Sequence, residues 1–378
     1  MTGSLPWGRS DGGGGVPAGI DGAVVLSTRR LTDLAPVAAD GTVVAGAGAT
    51  VAAVQAHAAA AGWQFGMDWA ARDSATVGGA VATNAGGLRV LRWGPARAQL
   101  VGAEVALASG ALLSRVDGPV KDSTGYDLSA LLCGSEGTLG VLTRVRLRLV
   151  PPLSAGRAVA LVGLPGVAAA VELLGAVRRA GADLAAAELV GAAALAVLDL
   201  PAPLADAWPA YVLLEVVGRA DDLAATLAGT GAGDAALADD AAGRARLWRY
   251  REEITESISR AGVPIKLDVA VPPDRLAEVW AALGDGPGRT VPFGHLAEGN
   301  VHVNLLDVPA AEQDAAVDRV LRLVAAAGGS ISAEHGIGRA KAPWLELTRS
   351  PAEIAAMRAV KAALDPAGLL NPGVLFGT

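Results

Sequence analysis

The chain is poor in the residues that would place it in several broad classes. It has a single cysteine, Cys133, in 378 residues, so neither a disulfide framework nor a cysteine-ligated cluster can be assembled from its own thiols. Cys133 stands in the apolar run SALLCG and reads as core packing, the usual setting of a free thiol. A reducing cytoplasm is consistent with that usage and is the expected location. Basic charge is scarce as well: 31 Lys and Arg face 38 Asp and Glu, for a net charge of -7, which leaves no electropositive footprint for nucleic acid. Charged residues make up 18% and hydrophobic ones 52%, a composition that fits a compact globular protein. No apolar run reaches the roughly 20 residues of a membrane span. The nearest candidate, Ala158 to Val177, is interrupted by Gly163, Pro165, Gly166 and Glu172 and reads as strand, turn and helix. The first residues lack a basic stretch followed by an apolar core, so no signal-peptide pattern is visible.

Glycine is abundant and concentrated. The stretch TVGGAVATNAGG, Thr76 to Gly87, leaves main-chain N–H groups unguarded by bulky side chains, which suits either a phosphate or flat ring pressed against them or a set of tight turns in an alanine-rich chain. A second cluster lies in KDSTGYDLSALLCGSEGTLGVLT, Lys121 to Thr143, around Ser135 and Glu136. Between and around these runs, Thr50 caps a helix from Val51 to about Ala61, and strands are expected at Ala23 to Ser27, Leu100 to Ala108 and Val141 to Val150. His57 falls on that helix among alanines and reads as a structural histidine. The length supports two or three domains.

From Ala158 to about Pro292 strands and helices alternate: Ala158 to Val162, Val167 to Ala180, Tyr211 to Val217, Asp221 to Ala228, Arg244 to Ala261, Ile265 to Val271 and Pro273 to Ala282. This reads as an α+β domain with an antiparallel sheet. The acidic, Gly- and Ala-rich segment Gly229 to Gly243 reads as a linker with weak helix. The last part, Pro292 to Thr378, supplies two short strands and two helices expected to pack back onto both domains.

Two of the four histidines lie in PFGHLAEGNVHVNLL, Pro292 to Leu306. The strand period of two puts Val301, Val303 and Leu305 on one face and His302 and Asn304 on the other, while Gly299 can bend the chain to bring His295 near His302. In GSISAEHGIGRAK, Gly329 to Lys341, Glu334 adjoins His335. Two imidazoles and a carboxylate match the ligand count of a catalytic zinc site with open positions; a chance pairing of histidines is the competing reading. Neighbouring residues on a regular strand face opposite ways, so Glu334 and His335 can serve one site only if the backbone turns, which Gly336 and Gly338 make cheap. In LWRYREEITESISRAGVPIKLDVAVP, Arg251 and Thr255 are four apart on an expected helix and share a face. An arginine fork suits bidentate capture of a carboxylate, although most arginines are simply solvated.

Taken together, these runs resemble the vanillyl-alcohol-oxidase-type FAD-binding proteins, and within them the FAD-binding D-2-hydroxy-acid dehydrogenase family, from about Gly12 to Phe376. The resemblance implies a two-part FAD-binding domain at 1–152, incomplete at its N-terminus, and an FAD-linked oxidase C-terminal, or cap, domain at 153–378 with the substrate and metal site. The FAD contacts it implies are Gly12, Gly13 and Gly14 of the pyrophosphate loop; Thr76, Gly78, Gly79, Ala82, Thr83, Asn84, Gly86 and Gly87 of the first run; Gly134, Ser135, Glu136, Gly137, Thr138 and Gly140 of the second; and Asn371 of the closing LDPAGLLNPGVLF. By the same resemblance His295, His302 and Glu334 bind a divalent ion (Zn or Mn), His335 is the base, and Arg251, Thr255, Lys266 and Asn304 bind substrate.

The implied activity is oxidation of a D-2-hydroxy acid of the glycolate, D-lactate or D-2-hydroxyglutarate type to the 2-oxo acid, with hydride transfer to flavin N5. Reoxidation then calls on an external acceptor: a quinone, an electron-transfer flavoprotein or a partner subunit. The chain departs from the pattern at several places. Ser10 and Asp11 replace a Gly-Thr step, Ala98 replaces a common Asp, Ala270 a Ser and Val374 a Lys. The pyrophosphate loop begins five residues after Met1, so an incomplete N-terminus is expected, through a misplaced start or a natural truncation. Two alternatives stand beside the enzyme: a non-catalytic or truncated flavin-binding assembly subunit, and a flavin-free metal hydrolase, which leaves the glycine runs unexplained.

Overall fold

The structure is a computed structural model that describes residues 24–154, 156–230 and 232–377. The chain divides into two compact units. One holds the chain up to Pro152 and again from Glu334 on, and the other holds Leu153–Ala333. By contact, residues 334–378 cluster with the first unit. Hydrogen bonds from this segment to the loop after Cys133, described below, are the physical reason.

The first unit is built on a four-stranded sheet of β1 (Thr42–Gly46), β2 (Leu100–Ala106), β3 (Leu112–Ser114) and β4 (Val141–Arg148), in the order β1-β4-β2-β3 with every pairing antiparallel. The core beneath it is made of small side chains, among them Ala45, Ala47, Val51, Val54, Ala80, Val81, Val105, Val145 and Leu147, all nearly inaccessible. The helix at Val51–Ala60 starts where Thr50 accepts the N–H of Ala53, and His57 uses its Nε2 on the carbonyl of Ala35 at 2.9 Å, a structural role. The strand expected at Ala23 to Ser27 does not form: Val24, Val25 and Leu26 carry no strand and stay exposed, and Ala23 lies outside the described residues. Without partners to bury it, an apolar tripeptide has no reason to extend a sheet.

Cys133 is buried, and its thiol is pushed up to about 11 by burial, against the opposing charge of Arg97. Arg97 donates to the carbonyls of Ala130 and Cys133 at 2.5 Å each, closing the turn around it. Thiolate is the reactive form, so iodoacetamide at pH 8 is expected to leave the native protein unmodified and to add one adduct after unfolding. Rapid labelling of the native protein, read by intact mass, would show that the Cys133 turn opens.

The second unit is a seven-stranded antiparallel sheet of β5 (Arg157–Leu164), β6 (Asp183–Gly191), β7 (Ala210–Val217), β8 (Ala235–Ala238), β9 (Ile265–Ala270), β10 (Arg289–His295) and β11 (Asn300–Leu306), in the order β8-β5-β7-β6-β10-β11-β9. The expected strand, turn and helix over 158–177 are present as β5 and the helix Val167–Arg179. Two expectations are corrected. Gly229 to Gly243 is not a weakly helical linker, since it contains the edge strand β8 and the Asp240 cap of the next helix. The single helix expected over Arg244 to Ala261 is two, Ala241–Glu252 and Ile254–Ala261, meeting at Glu253. The strand β6 was not anticipated at all. Among the described residues no helix is long and apolar enough to cross a membrane.

Candidate functional site

The register of the second sheet assembles a polar row. Residues directly opposite one another on antiparallel strands share a face, and the pairs Glu188↔His295, Phe293↔His302, His295↔Asn300, His302↔Asp268 and Asn304↔Lys266 therefore put all these side chains on one face of β6, β10, β11 and β9. Gly299, at φ +66°, turns the chain between β10 and β11, and the rings of His295 and His302 stand 5.4 Å apart at 82°.

Each imidazole meets a buried carboxylate. Glu188 Oε1 lies 2.8 Å from His295 Nδ1, and Asp268 Oδ1 lies 3.3 Å from His302 Nδ1. Asp268 also accepts from Asn300 Nδ2 at 2.8 Å and from the N–H of Ala333 at 3.1 Å, the residue that precedes Glu334 in the chain. Arg251, only 6% exposed, donates Nε to Glu188 Oε2 at 2.6 Å and lays its guanidinium 4.7 Å from the centre of the Phe293 ring. Burial opposes ionisation of Glu188, but His295 and Arg251 outweigh it and hold the carboxyl below the ordinary glutamate value. The helix Ala241–Glu252 thus lies over the same face of the sheet as the two histidines.

The expected substrate residues do not all gather there. Lys266 is half-buried on that face, while Asn304 is buried with its Nδ2 donated to the carbonyl of Val291 at 3.2 Å. Thr255 is exposed where Arg251 is buried, so the face shared on a continuous helix is not realised. No sequence pattern singles out Glu188 or Asp268. Only their strand pairing identifies them.

In the first unit the two glycine runs are brought together. The helix Val77–Thr83 is capped by Thr76, which accepts the N–H of Gly79 at 3.1 Å, and it ends at Asn84 with φ +52°. Main-chain N–H groups of Gly134 and Glu136 donate to the carbonyls of Val81 and Ala82 at 2.9 and 2.7 Å. Thr83 and Thr138 turn their hydroxyls inward, to Gly79 and Ser135. Not every glycine here faces open space: a Cβ at Gly78 would come 2.6 Å from that of Ala47, and one at Gly140 would come 2.4 Å from Val105. Those two serve close packing. The backbone N–H groups of Gly86 and Gly87 are different, since both residues are buried and neither N–H has a hydrogen-bond partner among the described residues. Buried N–H groups are costly to leave unpaired, and two in succession suit an acceptor-bearing group laid against this strip. Gly12, Gly13 and Gly14 lie outside the described residues.

Glu136 has another occupation. With φ +53°, it turns its carboxylate to the N–H groups of Ile337 and Gly338 at 2.8 and 2.7 Å, while its carbonyl accepts from Asn371 Nδ2 at 2.6 Å. Burial holds the Glu136 carboxyl above the ordinary value, against the two donors and Lys341. The turn needed after Glu334 and His335 is present: the backbone bends there, and Gly336 and Gly338 take φ +78° and +58°. A Cβ at Gly336 would lie 2.8 Å from the Glu136 carboxyl carbon, and one at Gly86 would lie 2.0 Å from Glu334 Oε2. Lys361, held by the carbonyls of Thr138 and Leu370, fastens the C-terminal segment to the same loop.

Comparison with known proteins identifies the family. The family model described as FAD linked oxidases, C-terminal domain, matches residues 153–375, and that described as FAD binding domain matches residues 7–114. The chain belongs to the FAD-linked oxidases, and within them to the FAD-binding D-2-hydroxy-acid dehydrogenases. It is accordingly an FAD-dependent enzyme of the 2-hydroxy-acid dehydrogenase/oxidase class.

Among its relatives is a D-2-hydroxyglutarate dehydrogenase of Xanthomonas citri pv. viticola, 40% identical over 99% of this chain and 84% of that one. The mitochondrial D-2-hydroxyglutarate dehydrogenase of Bos taurus is 36% identical over 94% and 69%. In fold the chain is similar to an alkyldihydroxyacetonephosphate synthase, with a TM-score of 0.67 at 16% identity over 91% of this chain and 67% of that one. It is also similar to the xylooligosaccharide oxidase of Myceliophthora thermophila C1, with a TM-score of 0.60 at 17% identity over 94% and 82%.

Proposed function

We propose that this protein oxidises a D-2-hydroxy acid to the 2-oxo acid, with D-2-hydroxyglutarate as the first substrate to try because relatives spanning most of the chain carry that activity in their names. The observation that carries the reading is the polar row on one sheet face: two imidazoles backed by buried carboxylates beside a buried arginine. Nη1 and Nη2 of Arg251 have no hydrogen-bond partner among the described residues. Its Nε is already tied to Glu188, so the guanidinium is preorganised to take a substrate carboxylate with its outer edge.

In this reading His295, His302 and Glu334 hold a divalent ion, Zn or Mn. The donor set of two imidazoles and one carboxylate suits such an ion. Held there, a divalent ion supplies Lewis acidity to the carboxylate and hydroxyl of the substrate. His335 takes the hydroxyl proton onto a ring nitrogen as the Cα–H bond breaks and the carbonyl forms. Lys266 adds positive charge on the same sheet face as the histidines. Bound FAD supplies the acceptor for the hydride that leaves Cα. Gly86 and Gly87 would meet it with their N–H groups, and the small residues of the Thr76 to Gly87 run exclude water from that side. With one cysteine in the chain, the electrons leave through an external acceptor such as a quinone, an electron-transfer flavoprotein or a partner subunit.

The flavin is expected to be non-covalent, since Cys133 is buried in its un-ionised form and His57 is bonded to Ala35. Acid precipitation should leave the yellow colour in the supernatant. Anaerobic addition of D-2-hydroxyglutarate should bleach the flavin, a chelator should slow the bleaching, and added Zn or Mn should restore it. Colour retained in the pellet removes the non-covalent assignment. A flavoprotein that no D-2-hydroxy acid bleaches removes the activity.

A further inference from the structure

Glu188 sits where two independent functions meet. It is 1% exposed, and its two carboxylate oxygens are divided between two partners. Oε2 takes Arg251 Nε at 2.6 Å, and Oε1 faces His295 Nδ1 at 2.8 Å. We propose that Glu188 is a positioning residue that sets the tautomer of His295 and the orientation of Arg251 together, coupling ion binding to capture of the substrate carboxylate. The proposal rests on the functional reading above and adds to it a residue that touches neither ion nor substrate.

The chemistry of the two contacts is asymmetric and specific. A carboxylate only accepts hydrogen bonds, so at 2.8 Å the nitrogen facing it carries the proton. The lone pair of neutral His295 is then on Nε2, the state in which an imidazole can ligate through that atom. Hydrogen bonding of the other ring N–H to a carboxylate is the common way a ligating histidine is oriented and made more basic. On the other side the guanidinium is held at Nε and supported by the Phe293 face, which fixes its plane and leaves its Nη1 and Nη2 edge as the surface offered to a planar carboxylate. One side chain thus aligns both groups. The β6–β10 pairing Glu188↔His295 makes the geometry a property of the sheet and not of a loop.

The near-isosteric variant Glu188→Gln separates the two contacts. Its amide oxygen can still accept from Arg251, but its amide nitrogen then faces His295 Nδ1 and favours the opposite tautomer. The purified flavin-loaded variant is expected to keep its melting temperature and visible spectrum. Its dissociation constant for Zn, measured on chelator-stripped protein by competition with a chromophoric chelator, should rise about 10- to 100-fold. Glu188→Asp, which keeps the charge but shortens the reach, should recover part of that loss. Glu188→Ala should add a rise in KM for D-2-hydroxyglutarate that excess Zn does not reverse, since Arg251 loses its anchor.

A measurement on the wild type does not depend on any variant folding. In the metal-free protein, 15N-resolved spectra of the four histidines, with the His295 signals assigned by their loss in His295→Gln, should show His295 as the Nδ1–H tautomer. An Nε2–H tautomer, or a Glu188→Gln protein with wild-type affinity for Zn, overturns the positioning role and leaves the functional reading intact. A wild-type protein that binds no divalent ion at all and is bleached by no 2-hydroxy acid overturns both.

Discussion

Replacing His335 by alanine is expected to leave flavin and metal content at wild-type levels while slowing anaerobic flavin bleaching about 10²-fold or more, the usual loss when a general base is removed. The loop should survive the change. It is held by main-chain N–H groups of Ile337 and Gly338 on the Glu136 carboxylate and by the left-handed turns at Gly336 and Gly338, and none of these contacts uses the imidazole. Glu334→Ala should fail differently. It should lower metal content and raise the substrate concentration needed, with partial recovery in excess divalent ion. Following bleaching and metal content together distinguishes the two residues, which share a peptide bond. Bleaching of His335→Ala at the wild-type rate would end the assignment of His335 as base.

Gly299→Ala is expected to destabilise the second unit by about 3 kcal/mol, combining a left-handed backbone with an overpacked contact. Gly299 has φ +66°, and a Cβ there would lie 1.9 Å from the carbonyl oxygen of Val271, a backbone atom that cannot rotate away. Since Val271 also donates its N–H to Gly299, the displacement would pry apart the turn that sets His295 against His302, and ion affinity should fall with stability. Gly62→Ala provides the control. It has a similar φ of +77° but nothing within 4 Å of the added atom, so it should cost only about 1 kcal/mol. Equal midpoints for the two variants in urea unfolding would contradict the clash argument.

Much of the fold was legible because it depends on short-range pattern. The alternation in NVHVNLL predicts His302 and Asn304 on one face, and the sheet places them there opposite Asp268 and Lys266. The cap at Thr50 and the turn at Gly299 follow from local chemistry that needs no partner. The strand β6 shows the limit. DLAAAELVG is rich in alanine and leucine, strong helix formers, and has a single β-branched residue, Val190. It is a strand because β7 and β10 hydrogen-bond it on both sides, and strand preference is set largely by such neighbours. Glu188 went unnoticed for that reason alone.

The family was legible from the likeness of the two glycine-rich runs, and their glycines from the turns and close approaches that restrict which residues a position tolerates. Which contacts those segments make is visible only in the folded chain. The tertiary structure showed that Gly78 and Gly140 serve packing while the buried N–H groups of Gly86 and Gly87 have no partner among the described residues, and that Glu136 spends its carboxylate on a turn 201 residues away in the chain. It also decided that the segment after Ala333 clusters with the first unit and that a buried glutamate joins Arg251 to His295. Such long-range hydrogen bonds leave no trace in composition or periodicity, since each partner is satisfied by geometry that exists only once the chain has folded.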